Sequence, residues 1–315
     1  RICLKMDAQF KKQYMNIEES LKKNFGKKVF FEEDLSKYSW FNLGGPAEIF
    51  FRPDNVNQLV SFFKFFKEHK KKINIIGAGS NTLIREGGVE GVVIKLSSKF
   101  SYTKLLENNI IQAGGATLEK AVSDFAMKNS LAGFEFLSCI PGSVGGGIKM
   151  NSGCYGEDIS NIIYSVEVID QQGNIKNLKS NQIKFFYRGS DLDDNLIILS
   201  AKFKGRLSEK KDIEKKQLQL IHKKKKSQPQ QVKTCGSTFK NSENKKAWEL
   251  IKESNCEKMS VGSAKISEKH CNFFINQGNA TSKDIEELIN KVKKQVFNIT
   301  KTNLELEIKI IGKNK

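Results

Sequence analysis

One stretch constrains this chain more than any other. Residues 140–156 read IPGSVGGGIKMNSGCYG, with six glycines in seventeen positions and, at Pro141, one of only four prolines in the protein. Glycine lets backbone amides approach a ligand with no side chain between, and lets the chain turn at positive φ. Proline stiffens the entry to the turn. A flexible linker would carry serine and charge among its glycines. This stretch carries Ile140, Val144, Ile148 and Met150 instead, which predicts a buried or half-buried loop. Two readings stand side by side: a tight crossing of backbones, or a wall against a large flat or phosphate-bearing ligand.

The 315 residues suffice for one large or two ordinary domains. No apolar run approaches bilayer-spanning length, so no membrane helix is expected. Arg1–Lys12 holds no apolar segment of signal-peptide length, and the expected location is cytoplasmic. The chain does not open with methionine; Met6 is the candidate start, with Arg1–Lys5 upstream. The cysteines (Cys3, Cys139, Cys154, Cys235, Cys256, Cys271) show no C-x-x-C pair or ligand spacing, and read as reduced thiols. With three histidines, His69, His222 and His270, no metal site is expected. The net charge of +18 points toward nucleic acid only until the basic residues are sorted. Arginine occurs at positions 1, 52, 85, 188 and 206 alone; the rest is lysine. Base and phosphate readers use arginine forks. Lysine spread along a whole chain is a solubilising surface that attracts small anions. Small-molecule partners are expected, neither nucleic acid nor membrane, and the oligomeric state stays open.

Periodicity supplies a coarse order of elements. A charged, peripheral helix runs to about Gly26. Gly44-Gly45-Pro46 turns into a strand Ala47–Phe51, and Asp54 or Asn55 caps a helix with Val56, Leu59, Val60, Phe63 and Phe66 on one face. Strand Ile73–Ile76 ends in Gly77–Asn81, GAGSN, a phosphate-cradling arrangement that lacks both the G-x-G-x-x-G spacing and a P-loop lysine. Strands Val92–Leu96 and Ile110–Ala113 follow. Thr117 caps a helix Leu118–Asn129, with Glu119 in its first turn and Gly133 beyond its end. Tyr164–Asp170 and Ile175–Leu178 form a hairpin, and Ile197–Lys204 is a further strand. Ser208 caps an exposed bridging helix that Pro229 terminates at a domain boundary. Then come a helix Lys245–Ser254, a strand Cys271–Asn276 and a helix capped by Ser282. The final strand Leu304–Ile311 alternates strictly, Glu305, Glu307 and Lys309 facing away from the leucines and isoleucines. The class is α+β, without internal repeats.

Few polar residues stand out as chemistry. No histidine lies between His69 and His222, so no Ser/His/Asp set is available. Arg188 sits in FFYRGSD, Ser237 in GSTFKN and Glu307 in the last strand. Taken singly, a structural ion pair, a turn serine and an exposed strand carboxylate are the simpler readings.

The order of the motifs changes those readings. YSWFNLGGPAE, IIGAGSNTLIREGGVEGVVIKL, IPGSVGGGIKMNSGCYG, FFYRGS, QPQQVKTCGSTFKN, HCNFFINQG and LELEIKIIG follow one another between Tyr38 and Gly312. In this the chain resembles the UDP-N-acetylenolpyruvoylglucosamine reductase (UDP-N-acetylmuramate dehydrogenase) family, flavoenzymes of the second committed step of peptidoglycan synthesis. The resemblance implies a charged extension over residues 1–25, a two-lobed FAD-binding domain of the vanillyl-alcohol-oxidase type over 26–206, and a smaller α+β substrate-binding domain over 207–315. It implies non-covalent FAD, with NADPH as co-substrate: NADPH reduces the flavin, and the enolpyruvyl sugar nucleotide then takes the hydride. Arg188 and Glu307 match the groups that stabilise the enolate-like intermediate, Glu307 in its protonated form, and Ser237 matches the proton donor. Gly77, Ala78, Gly79, Ser80, Asn81, Pro141, Gly142, Ser143, Gly145, Gly146 and Asn151 match cofactor contacts, and Lys240 and Asn241 substrate contacts. A histidine-linked flavin is not expected, since Lys70 to Ile221 contains no histidine; a bond to Cys154 is a remote alternative. The chain departs from the family pattern at Gly147 and Ser152, where alanine is commoner, at Cys235, and at Ser242, which replaces a proline. No extra tyrosine-bearing substrate loop is evident, which marks the shorter of the family's two types. An oxidase on the same flavin fold, or a basic binding protein without flavin, are the rival readings.

Overall fold

The structure is a computed structural model; it describes residues 8–67, 69 and 71–315, with side chains from Ile17 onward. The candidate start at Met6 and the residues upstream of it lie outside the described residues.

Seven α-helices occur among the described residues: α1 Ala8–Phe25, α2 Val56–Phe66, α3 Glu119–Lys128, α4 Val144–Met150, α5 Lys210–Ser227, α6 Ala247–Glu253 and α7 Ser282–Thr300. Helix α1 is less peripheral than its charge predicts. Ile17 and Leu21 are buried, and Phe25 meets Phe51 and Phe62 edge-on, with ring centroids 5.4 and 5.3 Å apart. Three apolar side chains on one face suffice to dock it.

The first lobe is a four-stranded sheet in the order Val29–Asp34, Pro46–Phe51, Val89–Ile94, Ile73–Ile75. The first pair is antiparallel and the others are parallel. Helix α2 covers it, capped by Asn55, whose side chain accepts from Gln58 N at 3.0 Å. Its buried face is Leu59, Phe62, Phe63 and Phe66. The second lobe is an antiparallel five-stranded sheet in the order Ile175–Lys179, Ile163–Ile169, Ile197–Lys204, Ile110–Gly114, Thr103–Leu106. The expected hairpin stands at one edge of it.

Several expected ends are built differently. Thr117 does not cap α3: its hydroxyl is taken by Tyr102, accepting from N at 2.9 Å and donating to O at 3.0 Å. Past the end of α3, Ser130 takes the left-handed conformation (φ 56°), ahead of Gly133 (φ 106°). Ser208 does not cap α5, which starts after Glu209 without a side-chain cap. Nor is α5 a solvent-exposed bridge. Ile213 and Gln217 are one turn apart and buried, Gln217 Nε2 donates to Ser123 Oγ at 2.7 Å, and Lys224 Nζ donates to Cys139 O at 2.8 Å, which lays the helix on the second lobe.

The C-terminal unit packs α6 and α7 against a three-stranded sheet, Ser260–Val261, Ala264–Ile266 and Phe274–Asn276. Helix α7 buries the expected Ile285, Leu288, Ile289, Val292 and Val296. Its cap is Thr281 in a reciprocal box with Asp284, not Ser282. Ser282 instead donates from N to Glu86 Oε1 at 2.6 Å, so its hydroxyl and amide face the first lobe. The final strand is also shorter than alternation predicts. Only Lys309–Ile311 pairs, in parallel with Thr82–Ile84 of the first lobe. Residues 304–307 run beside 238–240 instead: Lys240 N donates to Glu305 O at 2.8 Å and Glu307 N to Thr238 O at 2.9 Å. This crossing from one unit to the other breaks the alternation and turns Glu307 inward.

Candidate active site

Two glycine-rich segments face each other between the lobes. The turn after the strand Ile73–Ile75 is pressed against the YSWF segment: a Cβ on Gly79 (φ 72°) would lie 1.7 Å from Tyr38 O, and Trp40 N donates to Gly79 O at 3.1 Å. No acceptor among the described residues takes the backbone N–H of Gly77, Ala78, Gly79, Ser80 or Asn81. Such a run of unpaired amides is an anion cradle. Opposite it, a Cβ on Gly77 would lie 2.6 Å from Ser143 Oγ, a buried hydroxyl without a partner among the described residues.

The 140–156 stretch, expected as a loop, contains helix α4. Three of its six glycines, Gly145, Gly147 and Gly153, are set by close approach. Gly145 N donates to Gly115 O at 2.9 Å, and a Cβ there would come within 3.2 Å of the same oxygen. Val144 and Ile148 bury one side, so tertiary packing holds a helix that three glycines disfavour. Gly145 and Gly146 are half-exposed on the other side, with Pro141 and Gly142 at the entry. Asn151 ends the helix in the left-handed conformation (φ 41°), and both ends of its amide serve the protein: Oδ1 accepts from Ser160 N at 3.0 Å and Nδ2 donates to Phe186 O at 3.2 Å. The resemblance matches Asn151 to a cofactor contact; its side-chain bonds also tie α4 to the hairpin that bears Arg188. Cys154 is also engaged, donating to Phe136 O at 3.4 Å.

Arg188 closes a two-residue turn between Phe185–Phe186 and Gly189–Ser190, at φ 57°. Its Nε donates to Glu307 Oε1 at 2.8 Å, across 119 residues of sequence. Its guanidinium lies over the Tyr187 ring, 5.0 Å from the centroid, and its two terminal nitrogens meet no acceptor among the described residues. Burial raises the Glu307 carboxyl above its ordinary range, against the lowering pull of Arg188 and Lys240. Asn81 of the glycine-rich turn donates from Nδ2 to Glu307 O at 3.0 Å, and Lys309 N returns a bond to Asn81 O at 2.9 Å. Ser237 lies beside this strand pair, one residue before Thr238, and bridges to Phe273. Two residues upstream, Cys235 Sγ donates to Thr82 O at 3.4 Å, which fastens the serine segment to the first lobe. Lys240 Nζ is 3.7 Å from exposed Glu305; Asn241 Oδ1 accepts from Ala247 N at 3.0 Å, and its Nδ2 meets no acceptor among the described residues. Arg188, Ser237, Glu307, Lys240, Asn241 and Asn81 are thus brought to one seam.

Sequence reasoning missed four supporting residues. Lys95 donates to Gly77 O, and burial, with the charge of Arg52, brings its ammonium down to about 8. Asn272 holds the serine segment, accepting from Phe239 N at 3.0 Å and donating to Phe239 O at 2.8 Å. Tyr187 Oη accepts from Asn241 N at 3.4 Å, joining the arginine turn to the C-terminal unit. Glu119, expected at an ordinary helix start, is buried behind the glycine segment, and burial pushes its carboxyl up to about 8. A signal existed for three of them, since Lys95, Tyr187 and Asn272 lie inside the quoted motifs; Glu119 lies outside all of them.

The unpaired amides and the orphaned Ser143 hydroxyl fit a diphosphate-bearing cofactor, and the two-lobed fold with this seam defines a class, the FAD-dependent oxidoreductases. The family described as FAD binding domain matches residues 47–179, and the C-terminal domain of UDP-N-acetylenolpyruvoylglucosamine reductase matches residues 228–311. The chain is 48% identical over 302 residues to the UDP-N-acetylenolpyruvoylglucosamine reductase of Pelagibacter ubique, covering 94% of this chain and 100% of that one. It is 42% identical to the reductase of Wolbachia pipientis wMel, over 88% of this chain and 94% of that one. The crystal structure of the enzyme from Thermus caldophilus superposes with a TM-score of 0.78 at 28% identity, over 90% of this chain and 98% of that one. The chain belongs to the UDP-N-acetylenolpyruvoylglucosamine reductase family; it is an FAD-dependent oxidoreductase of peptidoglycan precursor synthesis. Among the described residues, no helix is long and apolar enough to cross a membrane.

Proposed function

We propose that the protein reduces UDP-N-acetylglucosamine enolpyruvate to UDP-N-acetylmuramate, with NADPH as reductant and with Arg188, Ser237 and Glu307 acting on the substrate. FAD, when bound, would supply the redox chemistry, hydride transfer between NADPH and the terminal vinyl carbon. The amides of residues 77–81 and the Ser143 hydroxyl would hold the cofactor. Hydride addition places negative charge on the neighbouring carbon and its carboxylate, and that charge needs donors arranged in advance. Arg188 keeps Nε on Glu307 and has both terminal nitrogens to span the substrate carboxylate. A protonated Glu307 donates to the enolate where an ionised one would repel it, and the burial that raises its carboxyl favours that form. Ser237 protonates the carbon: a hydroxyl is a weak acid, but the carbanionic carbon is a strong base and the transfer runs downhill. Lys240, only loosely paired with Glu305, and the free amide nitrogen of Asn241 receive the nucleotide end.

The observation that carries this reading is the contact of Arg188 with Glu307 beside the Ser237 segment, made by residues from two separate units. The test is reoxidation. Protein reduced anaerobically with NADPH should recover its flavin colour far faster with the enolpyruvyl sugar nucleotide than with air. Equal rates would favour an oxidase.

A further inference from the structure

We propose that Glu119 is a positioning residue for the cofactor-binding segment, a carboxyl group that takes the space a side chain at position 147 would fill and braces residues 142–152 from behind. The geometry is specific. A Cβ on Gly147 would lie 1.6 Å from Glu119 Oε1 and 2.8 Å from Ser152 Oγ, so the carboxyl and any larger residue at 147 exclude each other. Ser152 donates to the same Oε1 at 2.6 Å, and Glu119 N donates to Gly142 O at 3.0 Å. One residue therefore holds both ends of the segment, and the two family departures at Gly147 and Ser152 are the two positions that accommodate it.

The brace is a neutral acid at neutral pH. Glu119 is 1% exposed, and its Oε2 has no partner among the described residues. Burial, only partly offset by Ser152, sets its carboxyl at about 8. No charged side chain among the described residues meets it: on α3, Lys120 pairs with Asp124 at 2.6 Å, and on α4, Lys149 turns to the carbonyl groups of Leu192 and Asp193. Above its pKa the brace carries an uncompensated charge, the segment loses its packed form, and FAD binds only the protonated fraction. The folded pKa is raised, so the contribution is present at low pH and lost as pH rises through about 8.

The inference rests on the reading that residues 142–152 meet FAD, and the test separates the two. FAD affinity, read by quenching of flavin fluorescence, and the melting midpoint of the apoprotein are measured from pH 6.5 to 9.5 (roughly the span around that pKa). In the unaltered protein, affinity should be flat below about pH 8 and then fall about tenfold per unit. Glu119→Gln keeps shape and donor, so its affinity should match at pH 7 and stay flatter above 8. Lys95, which discharges in the same range, is common to both proteins and cancels in the comparison. Gly147→Ala should lower the melting midpoint and weaken FAD binding at least tenfold, and Glu119→Ala/Gly147→Ala should restore both. Should Gly147→Ala fail to fold, recovery of a folded double variant supports the brace equally. Identical pH slopes for the unaltered protein and Glu119→Gln, or no rescue in the double variant, would overturn the proposal. Rescue of stability with FAD affinity unchanged in every variant would overturn the link to the cofactor.

Discussion

Arg188 occupies the left-handed region at φ 57°, a conformation that costs a non-glycine residue about 1 kcal/mol or more. The turn tolerates this because Gly189 lets the Phe186 ring close over it; a Cβ at 189 would sit 2.1 Å from that ring. The result is a guanidinium presented to Glu307 by its Nε edge. Arg188→Lys retains charge but cannot hold Glu307 and span a carboxylate together, so turnover should drop roughly 100-fold or more with the fold intact, as steady-state rates and circular dichroism would show. Glu307 yields a second expectation. Its carboxyl is raised by burial, so the donor form persists above the ordinary carboxylate range and is lost as pH rises through the raised pKa. Substrate-dependent turnover should therefore have an alkaline limb that Glu307→Gln removes. The amide variant should also retain more activity than Glu307→Ala; the reverse order would contradict a donating carboxyl.

At the scale of elements, the site depends on α4 and the arginine hairpin being tied together. Asn151→Ala removes the bonds to Phe186 O and Ser160 N and the left-handed cap. Stability should fall by about 1–3 kcal/mol, measured by denaturant unfolding, and turnover should fall with it. Elements with a strong period were legible in the sequence: α7 buries the five residues its spacing marks, and the 163–179 hairpin stands where its turn residues put it. Helix α4 was not legible, since three glycines argue against a helix and only contact with Gly115 supplies the reason for one. The strand 304–311 was overextended because strict alternation cannot show that the chain changes partner midway, from residues 238–240 to 82–84. Caps went wrong at Thr117 and Ser282 because distant groups, Tyr102 and Glu86, claim those hydroxyls. The residues proposed for the site were singled out through family motifs alone; nothing local tells that Arg188 and Glu307 meet. Glu119 had no signal, because its partners at 147 and 152 are named only by the fold.

Across the whole molecule, the seam requires the C-terminal unit to stay seated on the first lobe. Arg85 makes a two-pronged bridge to Glu286 of α7, Nε to Oε1 and Nη2 to Oε2 at 2.7 Å each. The strand Lys309–Ile311 completes the return. A double-mutant cycle on Arg85→Ala and Glu286→Ala should give a coupling of about 0.5–1 kcal/mol that shrinks with added salt, since both side chains are partly exposed. Each single change should weaken substrate turnover more than FAD uptake, because the turn 77–81 proposed to hold the cofactor lies on one side of the seam only.

In the proposed reaction, three groups from distant parts of the chain work on one carbon of the substrate. Its most direct measurement is the pair of half-reactions in Ser237→Ala, followed anaerobically by flavin absorbance. NADPH should bleach the flavin at an unaltered rate, and the enolpyruvyl sugar nucleotide should then fail to restore the colour. Restoration at the rate of the unaltered protein would contradict the assignment of Ser237 and the site built around it.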